Sequence, residues 1–473
     1  MRIRKYDFDY GRRHLMDKAL KGSVGAGVLA STWPLISEGL EVDKAYPEEL
    51  TSIEVHTKGK IKPGDKVDAN NVKYVEHLLE PIVAWEIKND NRAIHIVDNK
   101  NRTIEQMFPP AYLEATLRNQ GRAVVDDIGN VRDKKAALPN GVWVGGSPFP
   151  NPQTGLEACA NITLSWGRHD MSMYAVRDFD LGADGEVGYQ YDFVWVELNT
   201  TARADGTVWN GYDDMLRFQS VWFTRPAAQA GSSFLQEWDY DQRKFPTLYG
   251  YLPLFRRVRQ FPASQRFEPI VPGINFFLSD AWAAGDPMLT WGSYKIIGRE
   301  PHLVAISSEN WGARVDADNW EPAVTGGPKG KTYCESFYEL SPECVVWEAE
   351  PTGYPRSPVG KKRIWEDVRN GMIMSYITYD RKGDLWRSVE GAFCQKKVKN
   401  VDTGEVIQMT DPQGRPEWSW TFVNFYDIQT QRMSRLYQAK EVEGGYNNHF
   451  HADEDAFYDK YLTRSALVRL GQV

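Results

Sequence analysis

KKRIWEDVRNGMIMSYITYDRKGDLWRSVEGAF, residues 361–393, decides the fold. It reads as three successive strands: KKRIWEDV, GMIMSYITYD and DLWRSVEGAF. Asn370-Gly371 predicts a two-residue hairpin turn, because both residues tolerate positive φ. Asp380-Arg381-Lys382-Gly383 predicts the next turn, with Gly383 placed for a bulge. Along the middle strand Met372, Met374, Tyr376 and Thr378 alternate with Ile373, Ser375, Ile377 and Tyr379. Both sets are largely apolar. An antiparallel sheet with one wet face shows one polar set. The second face therefore has a cover, and either a helix or a bound apolar ligand would serve.

The same period of two runs outward from about residue 160, and WSWTFVNFYDIQTQRMSRLYQ (418–438) supplies further strand. Upstream the period changes. NVKYVEHLLEPIVAWEIK (71–88) sets Val72, Val75, Leu78, Leu79, Ile82 and Val83 on one helical face, with Pro81 expected to kink or break it. AYLEATLRNQG (111–121) reads as a short helix stopped by Gly121. Residues 122–155 are rich in Gly and Pro and read as irregular. No fixed-period repeat occurs. The predicted class is α+β, helices early and a long antiparallel meander after them.

The formal charge is −8, from 56 basic and 64 acidic residues, which argues against a nucleic-acid binder. Seventeen tryptophans imply a large β-rich core or an apolar cavity. The first 37 residues carry seven Lys/Arg and three Asp/Glu. Arg12-Arg13 followed by a mildly apolar, Gly/Ala-rich run to Ile36 has the layout of a twin-arginine export signal. The run is too weakly apolar for a permanent span, and no clean A-x-A cleavage site follows it. This divides the chain into an export signal (1–37) and one large domain (38–473). It places the protein in the periplasm, tethered to the membrane if the signal is uncleaved. The remainder would carry about −12 once the signal's +4 is removed.

Several stretches invite a chemical reading. TGGPKGKT (325–332) lacks the first glycine of a phosphate-binding loop, since Thr325 stands there, and reads as a surface loop. HFHADED (449–455) would put His449, His451 and Asp453 on one face of a strand, a pattern able to hold zinc or iron. Its acidic continuation favours instead the first turn of a final helix, capped at the surface. Cys334 and Cys344 could close a small loop in an oxidising compartment, or stay buried thiols. No G-x-S-x-G elbow occurs. In GYLPLFRRVRQFP (250–262) an extended backbone over 254–261 would give Phe255, Arg257, Arg259 and Phe261 one face. Those arginines read either as a rim for an anionic group or as cross-strand partners of acids.

Four segments together resemble one family: GGSPFPNPQTGLEACANI (145–162), GYLPLFRRVRQFP, TWGSYKIIGREPHLV (290–304) and KRIWEDV…YDRKGDLWR (362–387). They resemble, in that order, the motifs of the domain of unknown function 1329 family, often labelled outer-membrane lipoprotein-sorting-like. Cys159 and Ala160 depart from the family, which commonly shows an apolar residue and Trp there. The resemblance implies a fold similar to LolA and LolB, a curved antiparallel half-barrel with helices in its concave face and a cavity for acyl chains. It implies, as partners, a hydrophobic small molecule or lipid and a resistance-nodulation-division-type exporter or outer-membrane protein. It supplies no catalytic residues to carry over, and no cofactor is expected. Pattern and resemblance together nominate Tyr251, Phe255, Arg257, Arg259, Trp291, Tyr376 and Trp386 as ligand-binding. The expected function is a periplasmic carrier or chaperone for a hydrophobic ligand. The alternatives are an exported enzyme for a hydrophobic substrate, with His449, His451 and Asp453 as its polar groups, and an assembly factor that holds no ligand.

Overall fold

The computed structural model describes residues 42–99, 103–262, 266–280, 285–311, 318–399 and 403–472. The twin-arginine segment lies outside them. The α+β reading holds. One 15-stranded sheet runs through the described residues. Its strands in chain order are β1 (Lys66–Val67), β2 (Ile94–Ile96), β3 (Met171–Leu181), β4 (Val187–Asn199), β5 (Met215–Arg225), β6 (Ser233–Asp239), β7 (Thr247–Leu252), β8 (Arg257–Phe261), β9 (Gly292–Val304), β10 (Ser336–Glu350), β11 (Val359–Asp367), β12 (Met372–Asp380), β13 (Leu385–Gln395), β14 (Trp418–Asp427) and β15 (Arg432–Gln438). The lateral order is β1-β2-β10-β11-β12-β13-β14-β15-β3-β4-β5-β6-β7-β8, with β9 also on β10. The sheet does not close. β2 and β10 are parallel; the other pairs are antiparallel. Two meanders, β3–β8 and β10–β15, meet where Leu436 of β15 faces Asp178 of β3.

The predicted turns form, with one difference. Gly383 (φ 89°) closes a loop whose register shift falls between Thr378 and Tyr379. At Asn370-Gly371 only Gly371 takes positive φ (64°), and the loop spans Val368–Gly371. Arg369 sits in that loop, fully buried, and forks onto Asp367 while reaching Glu339 of β10. Those bonds set the longer turn.

Alternation assigns the residues of each strand to two faces, and both are covered. On one face Val194, Val196, Phe218, Trp222, Leu235 and Tyr251 pack under helices α4 (Glu454–Tyr461) and α5 (Arg464–Leu470). Helix α1 (Pro81–Asn89) adds Val83, Ala84 and Ile87 to that side. Pro81 opens this helix instead of kinking it: a proline at the first position loses no intrahelical bond. Glu80 caps it, accepting from Ile82 N (2.7 Å) and Val83 N (2.9 Å). Residues 72–78 form two 3-10 turns rather than the start of one long helix. Arg92 then ties α1 to the sheet, pairing with Glu86 (2.5 Å) and with Glu390 of β13, and donating to Tyr338 of β10 (3.2 Å). The predicted helix of residues 111–121 is α2 (Pro110–Asn119), whose Tyr112 and Leu113 join the core of the other face.

That other face carries Tyr174, Val176, Phe193, Trp195, Val221, Phe223, Tyr376, Phe393, Trp420 and Phe425. Helix α3 (Gly155–Thr163) lies over it. Thr154 and Glu157 cap α3 reciprocally. Asn161 of α3 brackets Phe149 N and O (3.0 and 2.9 Å), holding the PFP loop against the helix. Gly145 (φ 95°) and Gly146 (φ 78°) pass so close to other backbone that a Cβ on them would meet Arg203 O at 1.7 Å and Thr116 N at 2.3 Å. The GGSPFPNPQTG motif is therefore the geometry that seats α3.

Candidate functional site: an apolar cavity under a strap

Between the sheet and its cover lies a cavity of about 80 Å³, measured over positions open to the centre of a water molecule. On that measure one water needs roughly 10–15 Å³. Its floor is Val176, Phe193, Val221, Phe223, Met374, Val389, Gly391, Phe393, Val423, Phe425 and Leu436, from seven laterally consecutive strands, β12 to β15 and β3 to β5. Ile162 of α3 and Trp166 close one side. The strap of residues 266–280 closes the other with Ile270, Ile274 and Phe276. The wall is almost wholly apolar. Gly391 opposes Val423 in register, so one wall position has no side chain, and the Phe393 ring folds beside it.

Polar contacts at its edges hold the strap down. Asn275 donates its N–H to Ser434 Oγ (2.7 Å) and its amide to the carbonyls of Phe425 (3.3 Å) and Arg432 (3.1 Å). Asp280 receives Arg387 (2.7 Å) and Lys362 (3.4 Å), and its carbonyl accepts from Tyr376 Oη (2.6 Å). Arg266 pairs with Asp286 and donates to Gln236 (2.7 Å). Phe276 stacks on Phe425 with ring centroids 4.6 Å apart. A smaller polar annex of about 20 Å³ shares Ile162, Trp166 and Trp195 with the cavity. It is lined by Arg217, Gln219, Gln236, Trp238 and Arg266. Arg217 is paired with Glu197 (2.9 Å), and its Nε has no partner.

Beside the strap two carboxylates are buried together. Asp178 is wholly buried, its carboxyl beside that of Asp180 and with no N–H or hydroxyl donor among the described residues; Asp180 accepts from Ser434 Oγ. Burial first, then the neighbouring Asp180, hold the Asp178 carboxyl well above its usual range, and burial lifts Asp180 to about 7. A raised folded-state pKa means that the folded protein binds protons more tightly than the unfolded chain. The contribution is full below about 4 and is lost as pH rises through about 7. Urea unfolding at pH 4.5, 6 and 8 should show stability falling across this window from these groups. Asp178→Asn, which removes the like charge, should flatten the fall; an unchanged slope would show that the pair does not titrate there.

Of the nominated residues the cavity takes in Tyr376. Trp291 is buried nearby, donating to Asp286 (2.8 Å) with Lys362 4.9 Å above its ring. Trp386 is half-buried against Phe277 and donates to Asp427 (3.0 Å). Tyr251 is buried on the opposite face, beside Gly471. Phe255, Arg257 and Arg259 are exposed on the β7–β8 hairpin. Their register puts Leu252 opposite Arg257 and Gly250 opposite Arg259, so the cross-strand positions hold no acid. The wall residues missed by pattern are chiefly Phe193, Phe223, Phe276, Phe425 and Leu436. VGYQYDFVWVELN (187–199) carried a usable signal, since Tyr191, Phe193 and Trp195 alternate along it.

His449 bridges to Met173 through the backbone, and His451 is exposed. Asp453 caps α4, accepting from Ala456 N (2.9 Å), so HFHADED is a helix entry. Among the described residues no three His, Cys, Asp or Glu side chains converge as metal ligands. All four cysteines are buried free thiols, Cys334 and Cys344 in separate core clusters. TGGPKGKT joins two short paired strands, Val324–Thr325 and Tyr333–Cys334. No helix among the described residues is long and apolar enough to cross a membrane.

No curated protein matches the chain. Among solved structures it is similar to a DUF1329 family protein from Desulfovibrio piger, at 14% identity over 66% of this chain and 97% of that one, TM-score 0.41. It is also similar to a LolA superfamily protein from Nitrosomonas europaea, at 13% identity over 61% of this chain and 90% of that one, TM-score 0.33. The family described as protein of unknown function (DUF1329) matches residues 66–467, a span that contains all four sequence motifs. The chain belongs to the DUF1329 family.

Proposed function

We propose that the protein is a periplasmic carrier or chaperone for a hydrophobic ligand, delivered to or from a membrane exporter of the resistance-nodulation-division type or an outer-membrane protein. The carrying observation is the apolar cavity between sheet and strap. An apolar space of this kind is the usual form of a small-molecule site. In this reading the sheet acts as a half-barrel, and one acyl-like chain segment lies along Phe193, Phe425 and Leu436. The annex at Arg217 and Gln219 faces the ligand's polar end. The strap, hung by polar contacts at its edges, is the element that lifts to admit the ligand. The twin-arginine segment supports export, with residues 38–473 working as one domain.

The test is extraction. Protein exported in its native host is purified without detergent, and organic extracts are weighed by mass spectrometry against the protein. About one apolar molecule per chain is the expected result. Protein that comes out empty, and takes up neither hexadecanoate nor hexadecanol when offered, would end the carrier reading.

A further inference from the structure

The hairpin between β7 and β8 carries an oddity that the cavity does not explain. Its tip exposes Leu254 at 86% and Phe255 at 46%, the former the most exposed large apolar side chain among the described residues. Arg256, Arg257 and Arg259 are exposed around them. The turn is firmly built: Phe255 N and Arg256 N both donate to Leu252 O (2.9 and 3.2 Å), and Arg256 closes it at φ 49°. Arg259 lies 4.6 Å over the Phe255 ring and fixes its direction. None of the three arginines has an ion pair among the described residues, in a chain whose net charge is −8.

β8 is the sheet's last strand, and charge on an edge strand guards it against pairing with another chain. That accounts for Arg257 and Arg259 but not for an exposed Leu-Phe tip, which guarding would avoid. A convex tip of two apolar residues is also too small for a stable protein interface, which buries on the order of 1,000 Å². It does suit a medium that deforms around it. Apolar side chains enter the headgroup–acyl boundary while arginines stay at phosphate level and bind anionic lipid.

We infer that the 252–259 hairpin docks the protein on the surface of an anionic phospholipid bilayer, with Leu254 and Phe255 inserted and Arg256, Arg257 and Arg259 on the lipid phosphates. This docking is independent of what the cavity holds. It answers why an acidic chain concentrates arginine on an apolar segment.

The full chain is floated with vesicles of phosphatidylglycerol and phosphatidylcholine, and with vesicles of phosphatidylcholine alone. Binding is expected on the anionic vesicles and is expected to weaken in high salt. Arg256→Gln with Arg257→Gln and Arg259→Gln should weaken it about 100-fold, at about fivefold per arginine. Leu254→Ser with Phe255→Ser should weaken it about tenfold or more. All five side chains are exposed, so both variants should melt as the parent does, and the N-terminal 37 residues are common to every sample. Variants that float like the parent, equal binding to neutral vesicles, or a salt-insensitive self-association through this hairpin would each overturn the inference.

Discussion

Replacing Val423 by Trp is expected to weaken apolar-ligand uptake by about 100-fold while the protein stays folded. Val423 faces the cavity opposite Gly391, the wall position with no side chain. An indole there occupies the space that three or four methylenes of a ligand would take. Each methylene left in water costs about 0.8 kcal/mol, which sets the size of the loss. Overpacking should cost the fold about 1–3 kcal/mol, well short of unfolding. Titration with a fluorescent fatty acid, together with thermal melting, separates the two effects. Val187→Trp, at a site 49% exposed and away from the wall, is the control. Unchanged uptake in Val423→Trp would place the ligand elsewhere.

Arg369→Met is expected to be the most damaging single change to stability. The guanidinium forks onto Asp367 (3.0 and 2.7 Å) and reaches Glu339 (2.6 Å), all three groups buried. Methionine keeps much of the bulk but strands two carboxylates away from water. Removing one partner of a buried network costs about 3–5 kcal/mol, a large share of the 5–15 kcal/mol typical of a whole domain. Urea unfolding measures the loss. Asp367→Leu combined with Arg369→Met should recover part of it, because a buried charge left alone, not the missing attraction, is the larger penalty. A single variant as stable as the parent would show the network to be dispensable.

The sheet was legible where periodicity is local. MIMSYITY announced two apolar faces, and both prove covered. Its cover was harder to read. The strap that roofs the cavity has no regular period, because an irregular segment follows the shape of what it lies on. Ile270, Ile274 and Phe276 gave no signal beyond being apolar. The extended reading of 254–261 missed the turn at Leu252–Arg256, and for Tyr251 alternation does not say which face holds a cavity and which holds α5. The arginines of β8 show the same limit. Whether an acid stands opposite them depends on register, and whether they face water depends on β8 being last in the sheet. Both are properties of the whole topology. The acidic entry at Asp453 was readable because capping is settled within one turn, whereas Pro81, expected to kink or break a helix, opens one.

The joining of β15 to β3 has a consequence for how the chain comes into being. The middle of the sheet is completed by residues 433–438 lying beside 176–181. Contacts between such distant parts of a chain are slow to form. The first meander, β3–β8, must wait with an open flank until the ribosome has delivered the chain as far as residues 433–438. A chain ended at Gln438 keeps this seam, whereas one ended at Asp427 loses it. The shorter product is not a trimmed version of the protein but two half-sheets with no ladder between them, joined through the strap and α3.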